Sequence, residues 1–215
     1  MFRFFFILSA LFLAFFQSVS MADKVSVFTF SEEEFEKLQI KKVKGKTTYS
    51  INSNVNGNYL KAEAKGKASG LGKEVKVNLL KTPIINITWK IEKDLKGIFE
   101  DTKKGHDYAA RVFVIKKTGS TALSNRAINY VFSSNNSVGE NWPSPYTKKS
   151  IDYVLSTTKE HLNEWITVKA NVRDHFQKFH NLDVEALTAV AVMTDTDNSK
   201  MKAVAYYQNI YFSSE

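Results

Sequence analysis

Apolar and polar residues alternate along most of the chain after residue 24. The clearest run is 85–91, in which four apolar residues alternate with three polar ones. Because successive side chains of an extended strand point to opposite faces, this run predicts a strand with one buried face. Similar runs predict strands at 25–30, 47–52, 59–64, 108–115, 127–132, 151–156, 164–168 and 203–212.

Residues 187–193 are apolar at almost every position, which is typical of a strand covered on both sides. Helical patterns are few. Ser31 and Glu34 form a capping box that predicts a short helix to about Leu38, and 171–179 predicts another. Many short strands separated by turn residues predict a mainly β fold, specifically a jelly-roll β-sandwich of two antiparallel sheets with one or two short helices.

The first 22 residues have the pattern of a secretory signal peptide. Arg3 supplies a positive start, 4–16 is uncharged and apolar, and Ser20 and Ala22 are the small residues that precede a cleavage site. The apolar stretch is shorter than the roughly 20 residues that a membrane-spanning helix needs. We therefore expect export to the periplasm or the medium. An uncleaved anchor and a start at Met21 are the alternatives.

Cleavage before Asp23 leaves residues 23–215, a length that fits a single β-sandwich domain with no transmembrane segment. The chain has no cysteine, which excludes thiol catalysis, cysteine-based zinc sites and iron–sulfur clusters. It has 30 basic and 22 acidic residues, and such a surface can attract anionic partners. The lysines are scattered, without an arginine-rich helix or a basic stripe that contains aromatics, so no nucleic-acid partner is predicted.

Three oxygen-bearing side chains follow the strand predicted at 187–193: Asp195, Asp197 and Asn198. They suit a ligand site, and a hard cation such as Ca²⁺ is a lesser alternative. The EF-hand pattern fails, because Lys200 stands where glycine is required. A turn in which these side chains cap their own backbone is a further alternative. We predict no metal and no cofactor.

Asp107 and Arg111 lie four residues apart in a predicted strand, and therefore on one face. An arginine on a sheet can bind a carboxylate or phosphate through paired hydrogen bonds. The alternative is an ion pair with Asp195 or Asp197 that ties two strands together. Convergence of all four side chains in an open cleft would indicate a binding site, whereas a closed, buried network would indicate a structural role.

Two aromatic residues are candidates for sugar stacking. Trp142 lies in a predicted loop flanked by proline, and Tyr146 follows in the same segment. The alternative for such rings is ordinary packing. The four histidines show no metal-binding spacing, and no phosphate-binding loop, nucleophile elbow or dinucleotide fingerprint is present.

Four segments together resemble a bacterial exported family, domain of unknown function family 3047 (DUF3047), over roughly residues 27–213. They are 105–112, 144–146, 193–198 and 206–212. The chain departs from the family pattern at Gln208-Asn209, where Gly-Asp is usual, and at Ile87, where tryptophan is common. The resemblance implies no established activity. The final strand is also similar to that of galactose-binding-like jelly rolls, many of which bind carbohydrate.

These observations favour an exported, non-catalytic binding protein for a glycan or another component of the cell envelope, anionic components included. Its expected ligand-binding residues are Asp107, Arg111, Trp142, Tyr146, Asp195, Asp197 and Asn198. The first alternative is a carbohydrate-active enzyme, a lyase or hydrolase, that uses the same face. The second is a structural or interaction domain without a small ligand.

Overall fold

The computed structural model describes residues 23–121 and 124–215, and the predicted signal peptide lies outside these ranges. The described residues form thirteen strands and three short helices. The strands are β1 (Lys24–Phe28), β2 (Gln39–Lys44), β3 (Thr48–Asn54), β4 (Gly57–Lys65), β5 (Ala68–Glu74), β6 (Ile84–Lys93), β7 (Ala110–Lys116), β8 (Arg126–Ser133), β9 (Asn141–Ser144), β10 (Thr147–Thr157), β11 (Ile166–Asn171), β12 (Ala189–Asp195) and β13 (Lys202–Ser213). The helices are α1 (Glu32–Lys37), α2 (Thr158–His161) and α3 (Val172–His180).

Six strands form one sheet, here called sheet A, in the order β11-β6-β13-β4-β3, with β1 also paired to β13. The long strand β13 organises this sheet. Its first half pairs with β4, its second half pairs with β1, and β6 lies along its other side. The turn at Val55-Asn56 joins β3 to β4 as a hairpin, and Gly57, the first residue of β4, adopts a positive φ of 107° that favours glycine.

The other seven strands form sheet B, in the order β2-β5-β12-β7-β8-β10-β9. All neighbours are antiparallel except β8 and β10, which run parallel with Asn129 opposite Asp152. Strand β9 lies at the edge of this sheet, where Pro143 is tolerated because it need not donate a ladder hydrogen bond. The predicted jelly-roll sandwich is therefore confirmed, with one parallel pair and three helices among the described residues.

The inner faces of the two sheets enclose one large hydrophobic cluster. The alternation at 85–91 has the predicted outcome, since Ile85, Ile87, Trp89 and Ile91 are all fully buried. The Trp89 ring meets the ring of Phe132 from sheet B at a centroid separation of 5.3 Å. Two half-buried sheets thus exclude water from each other, which is the main stabilising term of such a sandwich.

The two predicted helices form where expected, but the predicted capping box forms only in part. Ser31 caps α1 by accepting a hydrogen bond from the Glu34 backbone N–H at 3.1 Å. The Glu34 carboxylate accepts from the backbone N–H groups of Thr29 and Phe30 instead of completing the capping box at Ser31. Asn171 caps α3 in the same way as Ser31 caps α1. None of the helices in the described ranges is long and apolar enough to span a membrane.

One strand prediction is wrong. The run 187–193 was expected to be covered on both faces, but β12 is fully buried only on its inner face, through Val190 and Val192, while on its outer face Met193 alone of this run is buried. Ala189 and Ala191 point outward and are partly exposed. The run looks two-sided in the sequence because small alanines, rather than polar residues, occupy the outer face. This leaves an open surface on sheet B.

Candidate functional site

The candidate site lies on the outer face of sheet B, where β7 begins and β12 ends. These strands are antiparallel with Arg111 opposite Met193, so the start of one and the end of the other meet at the same edge. A pocket of about 260 Å³ opens there. Its lining consists of Val43, His106, Arg111, Phe113, Asn129, Ser144, Tyr146, Thr147, Ser150, Asp152, Met193, Asp195, Asp197 and Asn198.

Arg111 and Asp195 form a buried ion pair at the base of this pocket. The Arg111 Nη2 donates to Asp195 Oδ2, and only 4% of Arg111 is exposed. The guanidinium carbon also lies 5.0 Å from the ring centroid of Tyr108 and 5.4 Å from that of Phe113. The arginine is therefore fixed by an ion pair and by two aromatic rings, so the predicted strand-tying pair is present.

The charge around Asp195 is not balanced by Arg111 alone. Burial raises the pKa of Asp195 to about 8, and the nearby carboxylates of Asp107 and Asp197 add to the increase, while Arg111 opposes it. The carboxyl is fully removed from water and shares one guanidinium with two further carboxylates, and both conditions disfavour its charged form. The raised pKa keeps Asp195 protonated to a higher pH than an ordinary carboxyl, and its contact with Arg111 is a full ion pair only when Asp195 is ionised.

Asp107 fixes the loop that follows β12. Its Oδ1 accepts from the Asn198 backbone N–H at 3.2 Å and from Asn198 Nδ2 at 3.0 Å, and its Oδ2 accepts from the Ser199 N–H at 2.5 Å. Asp107 precedes β7, which begins at Ala110, so the prediction that it shares a strand face with Arg111 is wrong. A turn that closes between Gly105 and Asp107 accounts for this, and it brings Asp107 directly to the loop.

Asp107, Asp195 and Asp197 are the described residues that could hold a metal ion. One carboxylate oxygen from each lies within 4.8 Å of the others. Arg111, Tyr108 N–H, Asn198 and Ser199 already donate to four of these oxygens, and a guanidinium adjacent to Asp195 repels a divalent cation. The group is therefore better described as a buried acidic cluster than as a cation site.

A second hydrogen-bonded group lines the other side of the pocket. Asp152 of β10 is fully buried, and its Oδ2 lies 2.8 Å from His106 Nε2. The amide of Asn129 on β8 donates to the other oxygen of Asp152. Gly105 permits this arrangement, since a Cβ added there would lie 2.3 Å from the Phe99 carbonyl oxygen. Only a glycine at position 105 therefore lets the backbone before His106 pass so close to the backbone of Phe99.

Tyr146 closes the pocket from the turn between β9 and β10. Its hydroxyl lies 3.1 Å from Asn198 Oδ1 and 3.2 Å from the Lys103 carbonyl oxygen, and it can donate its one proton to either; its ring centroid is 5.4 Å from that of His106. Tyr146 is 57% exposed, so one face of the ring is open to a ligand. Tyr146 therefore lines the same pocket as Arg111 and Asp195.

Trp142 is not part of the pocket lining. It lies in strand β9 rather than in a loop, and it packs against a small cluster of Tyr108, Val131 and Val154. The prediction of a rigid loop was wrong because the proline-flanked segment pairs with β10 at the sheet edge. The packing alternative therefore describes Trp142 better than the stacking platform does.

Two buried polar atoms of the lining have no hydrogen-bond partner within the described ranges. They are Arg111 Nε, a donor, and Asn129 Oδ1, an acceptor. The two residues are diagonal neighbours on the paired strands β7 and β8. An unpaired buried polar atom costs about 1–3 kcal/mol of stability, so two residues of the lining hold an unused donor and an unused acceptor at some cost to the fold.

Sequence reasoning found one half of the site and missed the other. It identified Arg111, Tyr146 and the acidic loop after β12 because they occur in unusual motifs. It passed over His106, Asn129 and Asp152. A usable signal was present, because Asn129 interrupts the mainly apolar run 127–132 and Asp152 interrupts the mainly apolar run 151–155.

A family model described as a protein of unknown function (DUF3047) matches residues 33–211. The chain belongs to DUF3047. The resemblance drawn from the four sequence segments is thereby confirmed. No curated protein matches this DUF3047 chain significantly.

Several solved structures are similar to the DUF3047 chain over most of its length. The family 30 carbohydrate-binding module of the Clostridium thermocellum cellulase Cel9D-Cel44B is 11% identical, with a TM-score of 0.49 over 89% of this chain and 98% of the module. The family 11 module of Lic26A-Cel5E from the same organism is 12% identical, with a TM-score of 0.47 over 91% and 95%. The xyloglucanase domain of NopAA from Sinorhizobium fredii is 10% identical, with a TM-score of 0.45 over 82% and 92%.

Proposed function

We propose that this protein is exported and binds a glycan, without catalysis, in the pocket on the outer face of sheet B. The observation that carries the proposal is the pair of unused polar atoms, Arg111 Nε and Asn129 Oδ1. A sugar hydroxyl both donates and accepts hydrogen bonds, so hydroxyls of one sugar ring can satisfy a donor and an acceptor on neighbouring strands. An apolar ligand would leave both atoms unpaired.

The rest of the lining supports the same class of ligand. Hydroxyl and amide groups come from Ser144, Thr147, Ser150 and Asn198. Apolar surface comes from Phe113, Met193 and the open face of the Tyr146 ring. A sugar presents C–H groups on its faces and hydroxyls around its edge, and a mixed lining of this kind matches both. The leader predicted at residues 1–22 supports an extracytoplasmic location, where envelope glycans are found.

Alanine at Tyr146 tests the site directly. Tyr146 is exposed and lies in a turn, so Tyr146→Ala should leave the fold intact while removing one wall of the pocket. We expect residues 23–215 to bind at least one ligand on a glycan array, and the variant to bind that ligand at least about tenfold more weakly by calorimetry. The matched control is Tyr211→Ala, which removes a partly exposed tyrosine from sheet A, far from the pocket.

Two results would contradict the proposal. The first is the absence of any glycan ligand on a broad array together with no ligand-induced rise in melting temperature. The second is equal loss of affinity in the Tyr146 and Tyr211 variants, which would place binding elsewhere or attribute the loss to a general change in the protein.

A catalytic role is the second candidate, and one observation favours it. The raised pKa of Asp195 is the property of a general acid, and the partly exposed Asp197 lies close enough to serve as a base. However, Asp195 is buried and held by Arg111, which keeps it away from a glycosidic oxygen. Turnover of a polysaccharide that is lost in Asp195→Asn would establish the enzyme. Inertness of the wild type toward a ligand that it binds would establish the binding protein.

A further inference from the structure

The acidic and basic groups that line the pocket are unequal in number. Asp152, Asp195 and Asp197 face a single guanidinium, that of Arg111, and the fully buried Asp107 stands directly behind them. His106 is the other titratable group of the lining, and it is engaged by Asp152. Outside the pocket, Lys200 lies near Asp197, and Lys44 lies near Lys200. The two lysines are outside the lining, so within the pocket region the carboxylates of Asp107, Asp152 and Asp197 outnumber the one guanidinium even when Asp195 is protonated.

Asp197 is the carboxylate that remains available. Asp107 and Asp195 are occupied by backbone N–H groups and by Arg111. In the part of the chain that the structure describes, no side chain or backbone N–H donates to the Asp197 carboxylate. The Lys200 ammonium contacts only the carbonyl oxygen of Asp197. A half-buried, unpaired carboxylate therefore faces a pocket whose acidic groups already outnumber its basic ones.

The same imbalance of charge affects the pKa of Asp195. The pKa of Asp195 is raised despite its contact with Arg111, because burial and the neighbouring carboxylates outweigh the guanidinium. A ligand with a positive charge would relieve the same imbalance. An ammonium group is suited to this position, because it donates three hydrogen bonds and carries one charge. A divalent metal ion is less suited, because it carries twice the charge near Arg111 and needs several carboxylate oxygens that Arg111 and backbone N–H groups already engage.

We propose that the pocket selects glycans that carry a free amino group, with the ammonium bound by Asp197 and the ring hydroxyls bound by Asn129 and Arg111. This inference rests on the proposed glycan-binding function and narrows its ligand class. It also differs from the anionic envelope component that the lysine-rich sequence left open as a partner. The overall positive charge of the chain repels a cationic sugar at long range, so any preference for amines must arise locally.

Two ligand series of the same backbone test the inference. One consists of glucosamine oligomers with free amines, and the other of the corresponding N-acetylglucosamine oligomers. Affinities are measured by calorimetry in the presence of a chelator. We expect the amine series to bind the wild type at least about tenfold more tightly, which corresponds to about 1.4 kcal/mol. Asp197→Asn should abolish this preference, because it keeps the shape of the side chain and removes its charge.

Asp183→Asn is the control, since it removes the same charge from an exposed ion pair with Arg173 on the surface. It should retain the preference. Equal affinity of the wild type for both series would overturn the inference and leave the glycan-binding proposal standing. A preference that survives in Asp197→Asn would also overturn it, as would amine binding that appears only when calcium replaces the chelator. Failure of both series to bind would overturn the inference, and the glycan array would then decide the proposed function separately.

Discussion

Replacing Asp195 with asparagine should remove a pH dependence from the stability of the protein. The carboxyl has a pKa of about 8 in the folded state and an ordinary value of 3.8 when exposed. The folded state therefore holds a proton that the unfolded state releases between these two values. The stability from this proton is fully present below the lower pKa, and it is lost as the pH rises through the higher one.

The size of the effect follows from the linkage relation. Between the two pKa values, one extra bound proton changes the free energy of unfolding by up to about 1.4 kcal/mol per pH unit. From pH 5 to pH 7 the wild type should therefore lose roughly 2–3 kcal/mol through this group, out of the roughly 5–15 kcal/mol that typical domains possess. The amide introduced by Asp195→Asn does not titrate, so the variant should lack this contribution.

The assay is urea unfolding at several pH values, followed by tryptophan fluorescence, to which the fully buried Trp89 contributes. Other titrating groups, such as His175 and His180, are shared by both proteins and largely cancel in the difference. Asp183→Asn is a suitable control, because Arg173 lowers the pKa of Asp183 and confines its effect to more acidic conditions. Parallel stability curves for the wild type and Asp195→Asn from pH 5 to pH 8 would refute the protonated state of Asp195.

Three further substitutions test the fold around the site. Glu100→Gln should destabilise the protein by about 3 kcal/mol in urea unfolding, because the buried carboxylate accepts from four donors in residues 133–136 and an amide cannot accept from all of them. Tyr207→Phe should cost about 1–3 kcal/mol, since its buried hydroxyl bonds a carbonyl, a hydroxyl and a backbone N–H; an unchanged midpoint would contradict this. Gly72→Val should lower the melting temperature, because a Cβ there lies 2.9 Å from that of Ala191, and a wild-type value would show that the strands can separate at little cost.

The sandwich could be predicted from the sequence because the alternation that indicates each strand is a local pattern. Alternation at 85–91 depends only on neighbouring residues, and it places Trp89 in the core without knowledge of any other strand. The site was only half predictable because its second half depends on strand pairing. Asn129 meets Asp152 through the parallel pair β8–β10, and His106 reaches the same carboxylate from a distant turn. No local pattern reports that register.

Trp142 illustrates the opposite error, in which local composition was given too much weight. Prolines beside it indicated a loop, and loops carry binding residues more often than strands do. The segment nevertheless forms an edge strand. Pro143 lacks an N–H, but this does not prevent the pairing of Trp142 with Asp152. The indole is then directed into a small hydrophobic cluster rather than toward a ligand.

Buried polar side chains around the pocket differ in how completely they are hydrogen-bonded. Glu100 and Asp107 are each fully buried, and each has donors to both carboxylate oxygens, as expected of groups retained to hold loops in place. Arg111 and Asn129 are just as buried, yet each keeps one unpaired polar atom in the pocket lining. Unpaired buried atoms also occur away from the pocket, at Asn86 Oδ1 and Trp89 Nε1, but Arg111 and Asn129 bring a donor and an acceptor to one lining. This difference is why the proposed function gives ligand binding to Arg111 and Asn129 and loop positioning to Asp107.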